Sequence, residues 1–247
     1  MGPYDLRFVE VYYELYALET YINSIESQLP NLLEKEKEKV YQNRHEFNPI
    51  EWQQEEQMLY DVIENVLPQF FRNPIVVTLW AIFESAIIEI AKEIQDQQSL
   101  QIKMDDITGD FLDKTNKYFN HVIKFPIDVR GSSWQHFCKF KLLRNAIAHG
   151  NGRLENIKNN ADRKTILKWE NENTEISTTG GNIVCSSIFI KKTYSLVSDF
   201  LHNITERVKD EYPNPLNLCL FFANLLFAKK LVIILSGYLH HPDAYHI

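Results

Sequence analysis

The chain has 247 residues, 45% of them hydrophobic and 13% aromatic, which supports a sizeable core and excludes a disordered protein. The formal net charge of −7 argues against binding nucleic acid over the whole surface. Cys138, Cys185 and Cys219 lie far apart without metal-ligand spacing, and the N-terminus has no basic segment followed by an apolar run. We therefore expect a cytoplasmic protein without a signal peptide.

The first half of the chain has the apolar periodicity of α-helices. One helix is predicted to reach Pro30 and to be followed by a charged, solvated helical segment. A second helix has a start signal, because Asn48 can cap it, Pro49 suits its first position and Glu51 can reach back to the cap. This second helix is predicted to end at Pro68.

Residues 73–97 are apolar on almost every side and predict a central helix, with Asn73 as its cap and Pro74 at its first position. Glu84 lies on an apolar face of this helix, where a carboxylate needs a partner. It either forms a structural salt bridge with a core arginine or lies behind a catalytic arginine. Arg144 would satisfy both alternatives.

Two helices are predicted in the middle of the chain. The first covers residues 108–124. The second starts where Ser132 or Ser133 can cap it and carries apolar side chains at helical spacing. Gly150 suits the left-handed position that follows the last turn of a helix, so we expect the second helix to end there.

The pattern then changes from helical to β-like. Residues 164–190 contain β-branched runs on both sides of Gly180 and Gly181, which predicts a small β-hairpin with a tight glycine turn. Residues 188–210 return to the helical period.

The apolar tail, residues 213–247, is interrupted by Lys229 and Lys230, and neither side reaches the length of a membrane span. We interpret the tail as a helix packed on the domain or on a second subunit, and membrane attachment is the less favoured alternative. The predicted organisation is N-terminal helices (1–47), one helical domain (48–212) and this tail.

Residues 124–168 form a basic segment in an acidic protein. Ten Lys/Arg against three Asp/Glu give +7 in this segment, which leaves −14 for the remainder. A local cationic patch suits a phosphate-backbone ligand, and the candidate RNA-binding residues are Lys139, Lys141, Arg153 and Lys158. A solvated charged face is the alternative interpretation.

The segment FKLLRNAIAHGNG, residues 140–152, places Arg144, Asn145 and His149 at the end of an apolar helix. It is either a helix terminus with cationic side chains near its carbonyls or a catalytic site. Asn145 and His149 are four residues apart, so the amide can hydrogen-bond the imidazole. Arg144 lies about 140° from His149 around an ideal helix. The two converge only if the helix unwinds at Gly150, or if two copies of the helix meet across a two-fold axis.

These residue types suit RNA cleavage without a metal ion. Histidine can take the proton of a ribose 2′-hydroxyl or give one to the leaving 5′-oxygen, and the product is a 2′,3′-cyclic phosphate. Arginine offers fixed donors to the phosphoryl oxygens, and asparagine can orient the imidazole. The sequence has no Walker loop, HExxH, GxSxG or Cys/His cluster, so we expect no metal and no cofactor.

The run RNAIAH resembles the R-N-x-x-x-H motif of the HEPN superfamily, at the end of an apolar helix as in that family. The resemblance covers roughly residues 50–210, and only the motif is specific. It implies an all-α fold, a helical bundle with a small β-hairpin after the motif helix. It also implies a homodimeric, metal-independent endoribonuclease of the kind found in toxin–antitoxin, phage-defence and RNA-processing systems.

By this resemblance Arg144 and His149 are the catalytic pair, Asn145 is a polar helper and Glu84 is a candidate accessory acid. The substrate is RNA, an antitoxin or defence-system protein is a possible partner, and no DNA ligand is expected. Asn151 stands where AMPylation-controlled toxins of the superfamily have a tyrosine, which argues against that control. The alternative is a non-catalytic HEPN-like interaction module that binds RNA or a protein.

Overall fold

The fold is almost entirely helical. We describe residues 5–42, 44–172 and 175–213 of a computed structural model. The α-helices are α1 (Val9–Gln42), α2 (Pro49–Asp61), α3 (Leu67–Gln97), α4 (Phe111–Lys117), α5 (Ser132–Gly150), α6 (Asn160–Glu172) and α7 (Ser187–Glu211). The strands β1 (Ile176–Thr179) and β2 (Asn182–Cys185) form one antiparallel sheet. The prediction of a mainly all-α chain with a small hairpin is confirmed, whereas the HEPN bundle itself stays a prediction.

Short helical turns connect several of these elements. Two of them are π-helical turns, Val62–Val66 between α2 and α3 and Tyr118–Val122 after α4. The 3-10 turns are Leu6–Phe8, Arg44–Glu46, Met104–Asp106 and Leu154–Asn156. The predicted tail helix falls on residues 214–247, which lie outside the described residues, and the proposed division into three parts stays a prediction.

Helix α3 is the centre of the fold, as its apolar sequence predicted. It contacts α1, α5 and α7 and contributes Leu79, Phe83, Ile87 and Ile90 to the buried core. Each large apolar side chain buried in this way contributes about 1.5–3 kcal/mol relative to exposure, so α3 provides a rigid frame for the side chains it carries.

The prolines do not mark helix boundaries as predicted. Pro30 lies inside α1, Pro68 lies in the first turn of α3, and Pro74 lies inside α3, so Asn73 is not a cap. A proline inside a helix removes one backbone donor and crowds the carbonyl one turn earlier, which costs about 3 kcal/mol. The π turn Val62–Val66 ends two residues before Pro68, and turns of this kind accommodate a proline ring within a longer helix. Burial of the apolar faces of α3 offsets the cost at Pro74.

The predicted start of α2 is confirmed. The Asn48 side chain accepts hydrogen bonds from the backbone nitrogens of Ile50 and Glu51, and the Glu51 carboxylate accepts one from the Asn48 backbone. Pro49 occupies the first helical position, where its missing N–H has no intrahelical partner to lose. The sequence signal succeeds here because the reciprocal hydrogen bonds are local.

The ends of α5 differ slightly from the prediction. Gly131, and not Ser132 or Ser133, occupies the cap position, and no side chain caps the helix there. At the other end Gly150 is the last helical residue, and Asn151 takes the left-handed conformation with φ of 51°. Asparagine tolerates this conformation because its short polar side chain can hydrogen-bond locally. The motif helix therefore extends further than predicted at both ends.

The hairpin prediction is correct in its second half only. Gly180 and Gly181 form the turn between β1 and β2, with φ of 56° and 80°. Residues 164–172, predicted as part of the hairpin, belong instead to helix α6. Ile166 and Trp169 are buried and have helical spacing. Their burial outweighs the preference of the β-branched residues in this run for a strand.

Candidate functional site

Arg144 on α5 packs against α3. Its Nη2 atom lies 3.6 Å from Oε2 of Glu84, and its guanidinium carbon lies 5.8 Å from the centre of the Trp80 ring. Trp80 Nε1 donates a hydrogen bond of 3.0 Å to the same Glu84 oxygen. The ion pair suggested by the sequence is therefore present, and Trp80 joins it. Trp80 lies one turn before Glu84 on the same apolar face, but the sequence alone gives it no role in the site.

The Arg144 guanidinium is held in place and still reaches solvent. Its Nη1 atom donates to Oδ1 of Asn145 at 2.9 Å, and 27% of the side chain is exposed. Its Nε atom is buried without a hydrogen-bond partner among the described residues. A guanidinium has five N–H donors, so Arg144 retains donors for an oxyanion such as a phosphate.

His149 does not share the surroundings of Arg144. It is exposed, and within the described residues its side chain has no hydrogen bond. The hydrogen bond between Asn145 and His149 that the spacing allows is absent there, and the Asn145 oxygen accepts from Arg144. Helix α5 continues to Gly150, so unwinding does not turn the histidine towards the arginine. Within one chain the two side chains remain on different faces of the helix, about 140° apart.

Three of the four predicted RNA-binding cations lie beside carboxylates. The pairs are Lys139–Glu172 at 3.7 Å, Lys141–Asp110 at 2.9 Å and Arg153–Glu155 at 3.8 Å. Desolvation raises the pKa of Asp110, but the hydrogen bond from Lys141 and backbone donors hold this pKa below its usual value. Lys158 is exposed and has no carboxylate partner in the described part of the chain. The surface is therefore less cationic than the basic segment alone indicates.

The nucleophiles and metal ligands outside the motif offer no second reaction centre in the described ranges. Cys138 and Cys185 are free thiols, and complete burial raises the pKa of Cys185 to about 12. Residues 5–42, 44–172 and 175–213 contain no group of three or more His, Cys, Asp or Glu side chains that could hold a metal ion. The Arg144–His149 region remains the candidate site.

A cavity missed by the sequence analysis lies next to the motif helix. The first half of α3, the end of α5 and the hairpin form its walls together with the Val62–Val66 turn. Its polar lining consists largely of side-chain amides, namely Asn65, Gln69, Asn73, Asn151 and Asn182. These residues come from three parts of the chain that are distant in sequence, namely 65–73, the end of α5 and β2, so the cavity as a whole depends on how these parts pack.

The continuous helix Pro49–Gln97 is long and apolar enough to cross a membrane by length and composition. In the most apolar window of this helix, 56% is buried inside the fold. The core helix of a soluble protein passes the same test, so the helix is weak evidence for a membrane span.

Comparison of the chain with protein-family models, with curated proteins and with solved structures finds no match. The relation to the HEPN superfamily therefore rests on the R-N-x-x-x-H motif and on its place at the end of an apolar helix. The roles of Arg144, Asn145, His149 and Glu84 stay predictions.

Proposed function

We propose that this chain is a HEPN-like, metal-independent endoribonuclease that works as a cytoplasmic homodimer, as a toxin or phage-defence effector. The proposal rests on the state of these two side chains. Arg144 is held against α3 by Glu84 and Trp80 and keeps N–H donors that are not hydrogen-bonded in the described part of the chain. His149, five residues later, is exposed and has no hydrogen-bond partner among the described residues. An arginine fixed for an oxyanion and a free histidine are the two groups that this reaction needs.

The reaction is an internal transfer of the phosphoryl group. The ribose 2′-oxygen attacks the phosphorus and gives its proton to one histidine, while the bond to the 5′-oxygen breaks and that oxygen takes a proton from an acid. The products are a 2′,3′-cyclic phosphate and a 5′-hydroxyl. Arg144 stabilises the charge that builds on the phosphoryl oxygens. DNA is not a substrate because it lacks the 2′-hydroxyl.

A second copy of the chain completes the site in this proposal. Arg144 and His149 diverge within one chain, so a two-fold axis beside the end of α5 is needed to bring the arginine of one protomer to the histidine of the other. The axis creates two such sites, each with the arginine of one protomer and the histidine of the other. The histidine accepts the proton of the 2′-hydroxyl, and water protonates the leaving 5′-oxygen. The exposed Lys158 supplies positive charge for binding the RNA strand. Lys139, Lys141 and Arg153 also contribute when RNA phosphates replace the carboxylates with which they form ion pairs.

The test is cleavage of mixed RNA in EDTA by the full chain and by three variants, with analysis of the fragment ends. We expect cyclic phosphate ends from the wild type and a loss of at least about 100-fold in His149→Ala and Arg144→Ala. His202→Ala removes another exposed histidine, on α7, and should cleave normally. Equal cleavage by His149→Ala would overturn the proposal. A dimer that binds RNA without cleaving it would favour the non-catalytic interaction module instead.

In the cell a toxin of this kind needs restraint, and the proposal includes an antitoxin or defence-system protein as partner. The acidic remainder of the chain, with its net charge of −14, suits a basic partner surface. Co-purification with the product of a neighbouring gene, followed by recovery of cleavage when that protein is removed, would establish this partner.

A further inference from the structure

The cavity beside the motif helix has the size and lining of a ligand site. Its volume of about 710 Å³ falls within the roughly 300–1,000 Å³ of small-molecule pockets. Apolar side chains such as Val66, Val77 and Ile183 make up much of the wall, and the amides interrupt it. An apolar cavity with a few polar groups is suited to a flat ligand that is apolar on its faces and polar at its edges.

Two of the amides have an unused polar atom. Gln69 is 7% exposed, and its Oε1 accepts a 3.2 Å hydrogen bond from the backbone nitrogen of Cys185. A backbone N–H only donates, so this bond identifies the oxygen and leaves Nε2 as a donor. In the described structure this Nε2 and the Oδ1 acceptor of Asn73 are buried without partners. Both atoms have almost no accessible surface, so a bound group reaches them only when the amides turn towards the cavity. The cost of leaving them unpaired favours that turn.

The donor and the acceptor belong to the same face of one helix. Gln69 and Asn73 are four residues apart on α3, so they lie on the same face of the helix, and both line the cavity. Their complement is a ligand edge with an acceptor next to a donor. The base-pairing edge of every nucleobase has this arrangement, and Asn and Gln side chains read such edges in known complexes.

Two further residues extend the complementarity beyond the base. The ring of Phe70 lines the cavity and is 72% exposed, so it offers a face on which an unstacked base can stack. Arg153 also lines the cavity, and its partner Glu155 is largely exposed, 3.8 Å away. A solvent-exposed ion pair of this length is weak, so a phosphate can replace the carboxylate.

We propose that this cavity binds the base of a nucleotide, with Gln69 and Asn73 on the base edge, Phe70 on its face and Arg153 on its phosphate. Ile147, Ala148 and Asn151 in the wall follow Arg144 by three, four and seven residues, which places Arg144 on the same side of α5. The site is therefore about one helical turn from the arginine of the proposed catalytic site. The base belongs either to an unpaired nucleotide of the RNA strand or to a free nucleotide.

The test is isothermal titration calorimetry on the full chain carrying His149→Ala, so that binding is measured without cleavage. The probes are AMP, GMP, CMP and UMP, ribose 5-phosphate as a ligand without a base, and a 2′-O-methyl tetranucleotide that lacks the attacking hydroxyl. Gln69→Glu keeps an acceptor for Cys185 and replaces the free donor by an acceptor. Phe70→Ala removes an exposed ring, so this variant keeps the test valid if Gln69→Glu fails to fold.

We expect at least one nucleotide to bind, ribose 5-phosphate not to bind, and both variants to weaken binding by roughly tenfold. The matched controls are Gln101→Glu and Tyr13→Ala, which alter an exposed glutamine and an exposed aromatic ring outside the cavity and should bind normally. Tighter binding of the tetranucleotide, in competition with the mononucleotides, identifies the RNA strand as the source. Binding of mononucleotides alone identifies a free nucleotide.

The proposal is overturned if none of the nucleotide probes binds, or if binding is unchanged in both Gln69→Glu and Phe70→Ala. These outcomes are separate from those of the cleavage test. Cleavage can fail while the cavity binds nucleotides, which removes only the ribonuclease proposal. Cleavage can also persist while the cavity binds nothing, which removes only the base-binding site.

Discussion

At the scale of single residues, the partly exposed ion pair between Arg144 and Glu84 fixes the position of the guanidinium and adds little to the stability of the fold. Glu84 and Arg144 are 34% and 27% exposed in their side chains, and their closest approach is 3.6 Å. Such a pair contributes at most about 1 kcal/mol to folding. Together with the Trp80 ring it restricts the guanidinium to one place, which matters for a group that must meet a phosphate.

The Glu84→Gln substitution tests this positioning role. The new amide can still accept from Trp80 Nε1 but no longer attracts the Arg144 guanidinium, so we expect cleavage to fall about tenfold through kcat. The melting temperature should change little, because the lost ion pair is half-exposed. The measurement is single-turnover cleavage of a defined RNA beside a thermal melt.

Glu89→Gln is the matched control on the same helix. Desolvation and the neighbouring acids Glu10, Glu14 and Glu93 raise the pKa of Glu89, so loss of its charge should not destabilise the fold. Cleavage should stay at the wild-type rate. An equal fall in cleavage in Glu84→Gln and Glu89→Gln would mean that Glu84 has no special relation to Arg144.

The buried His136 makes stability depend on pH. Its Nε2 lies 2.9 Å from the Thr193 hydroxyl, and desolvation, with a smaller effect of Lys192, lowers its pKa from 6.5 to about 4. Between these two values the unfolded chain binds a proton that the folded chain does not. The free energy of unfolding should therefore fall by about 2 kcal/mol from His136 alone as pH drops from 7 to 5.

Urea unfolding at pH 7 and pH 5 checks this expectation in the wild type and in His136→Gln. The glutamine cannot titrate, so the variant should lose less stability between the two pH values than the wild type does. The same loss in both proteins would show that other groups cause the pH dependence.

At the scale of elements, the features that depend on neighbouring residues can be predicted from the sequence, whereas the features that depend on burial in the core cannot. The capping box at Asn48 and the glycine turn of the hairpin depend on neighbouring residues, so the sequence contains all that is needed. The sequence predicts helix boundaries at Pro68 and Pro74 because the cost of a proline is local, whereas the core contacts of α3 that offset this cost are distant in sequence. Residues 164–172 are predicted as β-structure and form part of α6 for the same reason, because the burial of Ile166 and Trp169 depends on residues distant in sequence.

The candidate site shows the same division. The pairing of Glu84 with Arg144 followed from the cost of burying a lone carboxylate. The contact between Asn145 and His149 followed from spacing alone and is absent from the described residues, and the structure instead pairs the amide oxygen with the neighbouring Arg144. The amide cavity depends on the packing of three segments, which a single sequence does not reveal.

The hairpin turn gives a prediction at this scale. Gly181 has φ of 80°, and a Cβ atom at this position would meet no atom within 4 Å, so backbone strain is the only obstacle to a side chain. Gly181→Val should lower the free energy of unfolding by about 1–2 kcal/mol. Gly181→Asn should cost clearly less, because asparagine tolerates the left-handed region. Urea unfolding of both variants measures the difference, and equal losses would contradict the argument.

At the scale of the whole molecule, the motif helix presents its arginine and its histidine in different directions, and this divergence requires a second chain in the proposed site. The basic segment has a net charge of +7, although Lys139, Lys141 and Arg153 each lie beside a carboxylate. RNA must displace these carboxylates, so the affinity for RNA should fall steeply as salt is added. A two-fold axis would also double the local positive charge.

The most direct test of the composite site is a mixture of two inactive variants. Arg144→Ala and His149→Ala should each cleave RNA poorly alone. Mixed under conditions that allow subunit exchange, they form heterodimers in which one site has both wild-type residues, so about a quarter of the wild-type activity should return. If the mixture stays inactive although mass spectrometry detects the heterodimer, arginine and histidine do not act across two chains, and the proposed site is wrong.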